Sequence, residues 1–227
     1  MSIWQRITEA LAALASGEGL AAVFDRMRTS PERTVAFTIA VIGLGAKMAK
    51  ADGRVTRNEV TAFREVFHIP GPDEPAAARV FNLARQDVAG FEEYARRIAR
   101  MFGPDHPILI DLMEGLFHIA VADGDYHPDE EAFLDRVREI FGLNERQFRG
   151  LRSRFVPGAD PDPWAVLGVD ADAPLSEVRR VWRQRVRDTH PDRMIARGVP
   201  EEAVRLAEAR LVAINRAWDE IQAARAA

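Results

Sequence analysis

The chain has 227 residues, enough for one large or two modest domains, and a hydrophobic content of 47% that can fill a packed core. A net charge of -4 with 29% charged residues gives no electrostatic reason to expect nucleic acid or an anionic membrane as partner. Cysteine is absent, which excludes disulfides, thiolate metal sites and a cysteine nucleophile.

Residues 1–29 form a first segment, in which Ile3, Ile7, Leu11 and Leu14 recur at helical spacing. Its charge order and lack of a cleavage site do not fit a signal peptide. Ser30 followed by Pro31 reads as an N-cap with proline at the first helical position, so a helix is predicted from Ser30 to about Ala51. The most apolar run, residues 34–46, is bounded by Arg33 and Lys47. It falls short of the roughly 20 residues a bilayer span requires, so no transmembrane segment is expected. Thr56 and Glu59 stand at capping-box spacing, opening a helix over residues 56–67. Helical periodicity returns over residues 76–86, 89–102, 108–122, 128–141 and 145–155. Alternating strand patterns are not found, and the predicted class is all-α.

One segment repeats. Met48-Ala49-Lys50-Ala51-Asp52-Gly53 is echoed by Ile119-Ala120-Val121-Ala122-Asp123-Gly124, and in each copy a glutamate, Glu59 or Glu130, follows the aspartate by seven residues. Two readings of these acids stand side by side. Glu59 and Glu130 fit the third position of capping boxes and need no ligand. Asp52 and Asp123, however, lie near helix C-termini, where a carboxylate opposes the macrodipole. A divalent cation held by Asp52, Glu59, Asp123, Asp125 and Glu130 would offset that, although the spacing is not that of an EF-hand. No other cofactor is implied. His68, His106, His118 and His127 form no ligand-spaced cluster.

Residues 156–162 hold two prolines and precede a third at Pro163, so a semi-rigid linker is placed there, between a helical unit over 30–155 and a C-terminal unit over 163–227. Asp162-Pro163 can cap a short helix, 164–167, ended by Gly168. A further helix is predicted from about Leu175. On it Val178, Trp182 and Val186 make an apolar stripe, while Arg179, Arg180, Arg183 and Arg187, with Arg185 beside them, make a basic ridge opposed within residues 176–187 only by Glu177. Pro191 stops this helix, leaving His190 and Asp192 at a sharp exit and residues 193–200 as a loop. The last helix, from about Glu201, carries Leu206, Leu211, Ile214, Trp218 and Ile221, spaced to pack antiparallel on the first.

These blocks resemble a J-domain. The carriers are Val178 through Val186, then His190-Pro191-Asp192-Arg193, then Ile214-Asn215-Arg216-Ala217-Trp218, with Trp164, Leu167 and Gly168 matching the first-helix block. Tryptophan stands at 164, 182 and 218, where the family usually has tyrosine. The continuation from Arg193 through Gly198 to Glu201 resembles the DjlA branch, whose members join a TerB-like helical domain to a C-terminal J-domain. The two Asp-Gly segments upstream are TerB-like. The implied architecture is an N-terminal TerB-like bundle followed by a J-domain helical hairpin.

The resemblance implies a non-enzymatic co-chaperone. His190, Pro191, Asp192 and Arg193, with Arg179, Arg180, Arg183 and Arg187, would dock on a DnaK-type chaperone and stimulate its ATP hydrolysis. Client choice would fall to the TerB-like bundle. DjlA-type proteins commonly carry an N-terminal membrane helix that this sequence lacks, so the expected location is cytoplasmic, with peripheral contact at the inner membrane through residues 2–14 as a variant. A His-Asp catalytic pair at the corner is set aside because no nucleophile or oxyanion hole accompanies it. Nucleic-acid binding by the ridge is the rival use of the same arginines. The alternative function is a stress-response helical adaptor, able to bind a cation, whose J-like tail does not activate DnaK.

Overall fold

The computed structural model describes residues 30–51, 74–75, 78, 90–103, 106–122, 124–196, 198–199 and 204–226. The helices predicted over 1–29 and 56–67 lie outside them, as do most of 76–86 and Asp52, Glu59 and Asp123. Every regular element among the described residues is helical, and the protein is all-α. Numbered along them, the helices are α1 (Ser30–Ala51), α2 (Phe91–Phe102), α3 (Pro107–Ala120), α4 (Pro128–Phe141), α5 (Glu145–Phe155), α6 (Pro163–Leu167), α7 (Leu175–Asp188), α8 (Pro191–Ala196) and α9 (Val204–Ala226).

The first five build one core. Residues 37–48 of α1 are buried on every side, the mark of a helix that other helices surround. At Gly43 an added Cβ would sit 2.9 Å from the Tyr94 ring, so the glycine sets how closely α2 approaches α1. Lys47 lies over the same ring, 5.4 Å from its centroid. Helix α2 is strongly amphipathic: Tyr94, Ala95, Ile98 and Phe102 face the core, while Glu93 pairs with Arg97 at 2.9 Å on the outside. Glu92 reaches across to Arg136 of α4, also at 2.9 Å. Helix α3 ends at Ala120, two residues before the predicted stop, and Gly124 follows with φ 92°.

Caps explain the sharp bounds of α4 and α5. His127 precedes α4, its Nδ1 accepting from Asp129 N at 3.3 Å while its N–H donates to Glu130 at 2.9 Å. Asn144 and Gln147 make the reciprocal pair at the start of α5, at 2.9 and 2.8 Å.

The C-terminal helices form a hairpin with a smaller core of Leu167, Val169, Val178, Ile214, Ala217, Trp218 and Ile221. Helices α7 and α9 run antiparallel, and Trp182 stacks on Trp218 with centroids 5.1 Å apart and planes 12° apart. The Trp182 indole also donates to Asn215 at 3.0 Å. Helix α6 starts as predicted, with Asp162 accepting from Ala165 N at 2.8 Å.

Residues 193–196 are helical, part of α8, where a loop was predicted. Pro191 ends α7 but also opens α8, because at a first helical position its missing N–H costs no bond. The units on either side of the Pro-rich stretch 156–162 are in contact. Met194, Val199, Leu206 and Ala207 of the hairpin belong to the larger core, and α5 packs directly on α6. At Gly150 a Cβ would stand 2.5 Å from the Ala165 carbonyl oxygen, so only glycine permits this approach. Gly150→Ala is expected to push α5 and α6 apart and cost about 1–3 kcal/mol, as overpacking does elsewhere. A urea midpoint equal to wild type would show that the contact yields without penalty.

Candidate functional site

The ridge read from the sequence is real on one face of α7. Arg179, Arg180, Arg183 and Arg187 are all exposed, and Val178 opposite them is fully buried. Their restraints are light. Arg180 comes within 3.8 Å of Glu177, and Arg187 donates to Gln184 at 2.7 Å. Arg185 does not join them: it turns inward and donates from Nε to the Leu167 carbonyl at 3.3 Å.

At the end of α7 the chain turns through Thr189, which is buried, into His190-Pro191-Asp192. The His190 side chain is 62% exposed and that of Asp192 87%. Backbone bonds hold the turn, with the His190 carbonyl accepting from Arg193 N at 2.9 Å and Met194 N at 3.1 Å. The imidazole braces it too, since His190 Nδ1 accepts from Asp192 N at 3.2 Å. An accepting Nδ1 places the proton of a neutral ring on Nε2, leaving that N–H as a donor. Arg193 is tied back to Asp188 at 2.7 Å. Beneath the corner, Met194 and Val199 are fully buried in the larger core. The arrangement is an apex of exposed polar groups on a foot of buried apolar ones.

The acidic positions are placed more thinly. Asp52, Glu59 and Asp123 lie outside the described residues. Asp125 is exposed, and the Glu130 carboxylate accepts the His127 N–H, as the capping reading requires. Among the described residues no three histidine, aspartate or glutamate side chains form a group able to hold a metal.

Sequence reasoning missed a cluster that fixes where the corner sits. Asp111 and Glu114, both fully buried, lie three residues apart on one face of α3. Arg210 of α9 binds both, with Nε donating to Glu114 at 2.7 Å and Nη2 to Asp111 at 2.6 Å. Arg154 of α5 takes the other Glu114 oxygen. Burial works against the charge on Glu114, but Arg154 and Arg210 outweigh it and hold the carboxyl below its ordinary value of 4.5. Burial likewise opposes the charge of Arg210, yet Glu114 and Asp111 raise its guanidinium above the usual arginine range. The signal was present as two acids in an apolar helix, but their partners lie 40 to 99 residues away in sequence.

Residues 38–153, running from α1 to within two residues of the end of α5, match the family described as tellurite resistance protein TerB. The chain belongs to the TerB family. Beyond those TerB helices, its similarity extends through the hairpin to proteins named co-chaperone protein DjlA. One, from Photobacterium profundum, is 26% identical over 232 residues, covering 91% of this chain and 84% of that protein. Another, from Vibrio cholerae, is 26% identical over 84% of this chain and 78% of its own length. The protein from Escherichia coli K12 is 23% identical and aligned over 98% of both chains. The TerB helices and the hairpin together make the chain DjlA-like. No solved structure matches it. Among the described residues no helix is long and apolar enough to cross a membrane.

Glu114→Gln leaves two buried guanidiniums short of a carboxylate, and about 3 kcal/mol of stability should be lost at neutral pH. Because the folded-state value of Glu114 is depressed, its contribution is complete above 4.5 and fades as pH falls through the lower folded value. The gap between wild type and variant in chemical unfolding should therefore narrow with acidification. A gap that stays constant from pH 7 to pH 3 would contradict the charged cluster.

Proposed function

We propose that this chain is a co-chaperone whose hairpin is a J-domain, docking on a DnaK-type chaperone and stimulating its ATP hydrolysis. The observation that carries the reading is the corner itself: His190 and Asp192 exposed at the apex, Met194 and Thr189 buried below. Relatives aligned along nearly the whole chain bear the co-chaperone name, which supports it further.

The physics of docking follows from the groups on that face. The four arginines of α7 create a positive field that steers encounter with an acidic surface. Asp192 offers a carboxylate for a charge-assisted bond to a partner arginine, and His190 offers its Nε2–H. Pro191 and the Nδ1 brace restrain the loop before contact, so less ordering entropy is lost on docking. Hydrolysis takes place in the partner's nucleotide site, and this chain supplies binding energy without reacting groups. The TerB helices serve as the adaptor for clients or other partners, and the site of action is the cytoplasm.

Single-turnover ATP hydrolysis by DnaK, with and without the full chain, tests the reading. Wild type should accelerate the turnover about tenfold or more, equivalent to at least 1.4 kcal/mol off the barrier. His190→Gln and Asp192→Asn should each abolish the effect while circular dichroism and unfolding midpoint stay unchanged. No acceleration by folded wild-type protein would favour the adaptor reading, in which the tail has lost its coupling.

Replacing Arg179, Arg183 and Arg187 together by alanine should slow association with DnaK by roughly tenfold at low salt. The difference should close near 1 M salt, where the screening length is about 3 Å. Stopped-flow association rates that differ equally at both salt concentrations would rule out steering by the ridge.

A further inference from the structure

Behind the corner, at the joint between the TerB helices and the hairpin, lies a cavity of about 590 Å³. Its charged wall comes from both sides: Arg154 of α5, Arg185 and Asp188 of α7, Arg193 of α8 and Arg210 of α9. The charges there do not balance. Arg193 is matched by Asp188, and Arg154 and Arg210 share Glu114 and Asp111. Among the described residues four guanidiniums thus meet three carboxylates, and Arg185 is the one without an ion pair, with Asp188 favouring its charge only from a distance. Its single hydrogen bond goes from Nε to a backbone carbonyl, and among the described residues no carboxylate lies within ion-pair reach of it. Burial pulls the Arg185 guanidinium below the usual arginine range. An unmatched cation in such a place is costly unless something completes it.

Two further observations show a prepared site. Arg154, on the same wall, keeps a buried Nε with no hydrogen-bond partner. Gly168, with φ 75°, makes room for the Arg185 head: a Cβ there would sit 2.6 Å from its Nη2. The rest of the lining is mostly apolar, including Ile110, Leu151 and Ile214, with Gln147 and Thr189 as its uncharged polar members. Cavities of roughly 300–1,000 Å³ with a few convergent polar groups are typical of small-molecule sites.

We propose that this cavity binds a small organic anion, its single carboxylate or phosphate head held by Arg185 and its apolar body lying against Ile110, Leu151 and Ile214. Guanidinium is suited to both heads because its paired donors match two oxygens at once. A ligand there touches α3, α5, α7 and α9 together and so tightens the joint. The site does not depend on the co-chaperone reading, and His190→Gln should leave it intact.

Calorimetric titration of the full chain tests it with phenyl phosphate and benzoate, which carry head and body, with inorganic phosphate, which lacks the body, and with benzyl alcohol, which lacks the charge. At least one of the first two should bind saturably, about tenfold tighter than inorganic phosphate or the alcohol, a difference of one decade in Kd. Arg185→Gln should weaken that binding at least about tenfold, and Arg185→Lys less. Arg216→Gln, on the outer surface of α9, should bind as wild type does. Circular dichroism of each variant separates lost binding from lost folding, and if Arg185→Gln fails to fold the Lys variant decides. No saturable binding of either aromatic anion, equal binding by the folded Arg185 variants, or an equal loss in Arg216→Gln would each overturn the proposal.

Discussion

The buried contact of Arg210 with Asp111 and Glu114 is the constraint on which the rest of the molecule depends. It joins the last long helix to α3 of the TerB bundle, and Arg154 closes the cluster from a third helix. Such a contact is intolerant of half measures, because removing one member strands the others in a place water does not reach. Association of hairpin and bundle is therefore coupled to the completeness of four side chains. The apolar contacts around it, Met194, Val199, Leu206 and Ala207, add area without direction, whereas the ion cluster sets register.

That registration gives the corner its character. A kinked loop at a helix end would ordinarily be among the least stable parts of a fold. Here Thr189 and Met194 are buried on its underside, and every backbone bond around His190 closes locally. Rigidity below and exposure above are the two properties a docking element needs, and they come from residues interleaved one by one along the chain.

Much of this was legible in the sequence because it rests on short-range chemistry. Helices α4 and α5 span the residues whose periodicity predicted them, and α7 starts at Leu175 and stops short of Pro191 as expected. Asp162 and Glu130 each act within three residues of themselves, so spacing alone reveals them. The apolar stripe of Val178, Trp182 and Val186 named the face of α7 that packs, and the arginines between named the face that does not. Pro191 was misread, since a proline that forbids a helix behind it also favours one ahead of it. Arg185 was counted with the ridge because helical spacing gives its direction only coarsely, and the Leu167 carbonyl that captures it is 18 residues away. The ion cluster was illegible for a deeper reason. Acids inside an apolar helix say that partners exist but not which of 29 arginines they are.

The shared core has a consequence for how the chain can be divided. Cutting within residues 156–162 looks natural on composition, yet the fragment released would carry Met194, Val199, Leu206 and Ala207 as a greasy underside with nothing to cover it. It would also carry Arg210 stripped of its acids. Shuffling this hairpin onto another scaffold would need a host that offers an apolar seat with paired carboxylates at its centre.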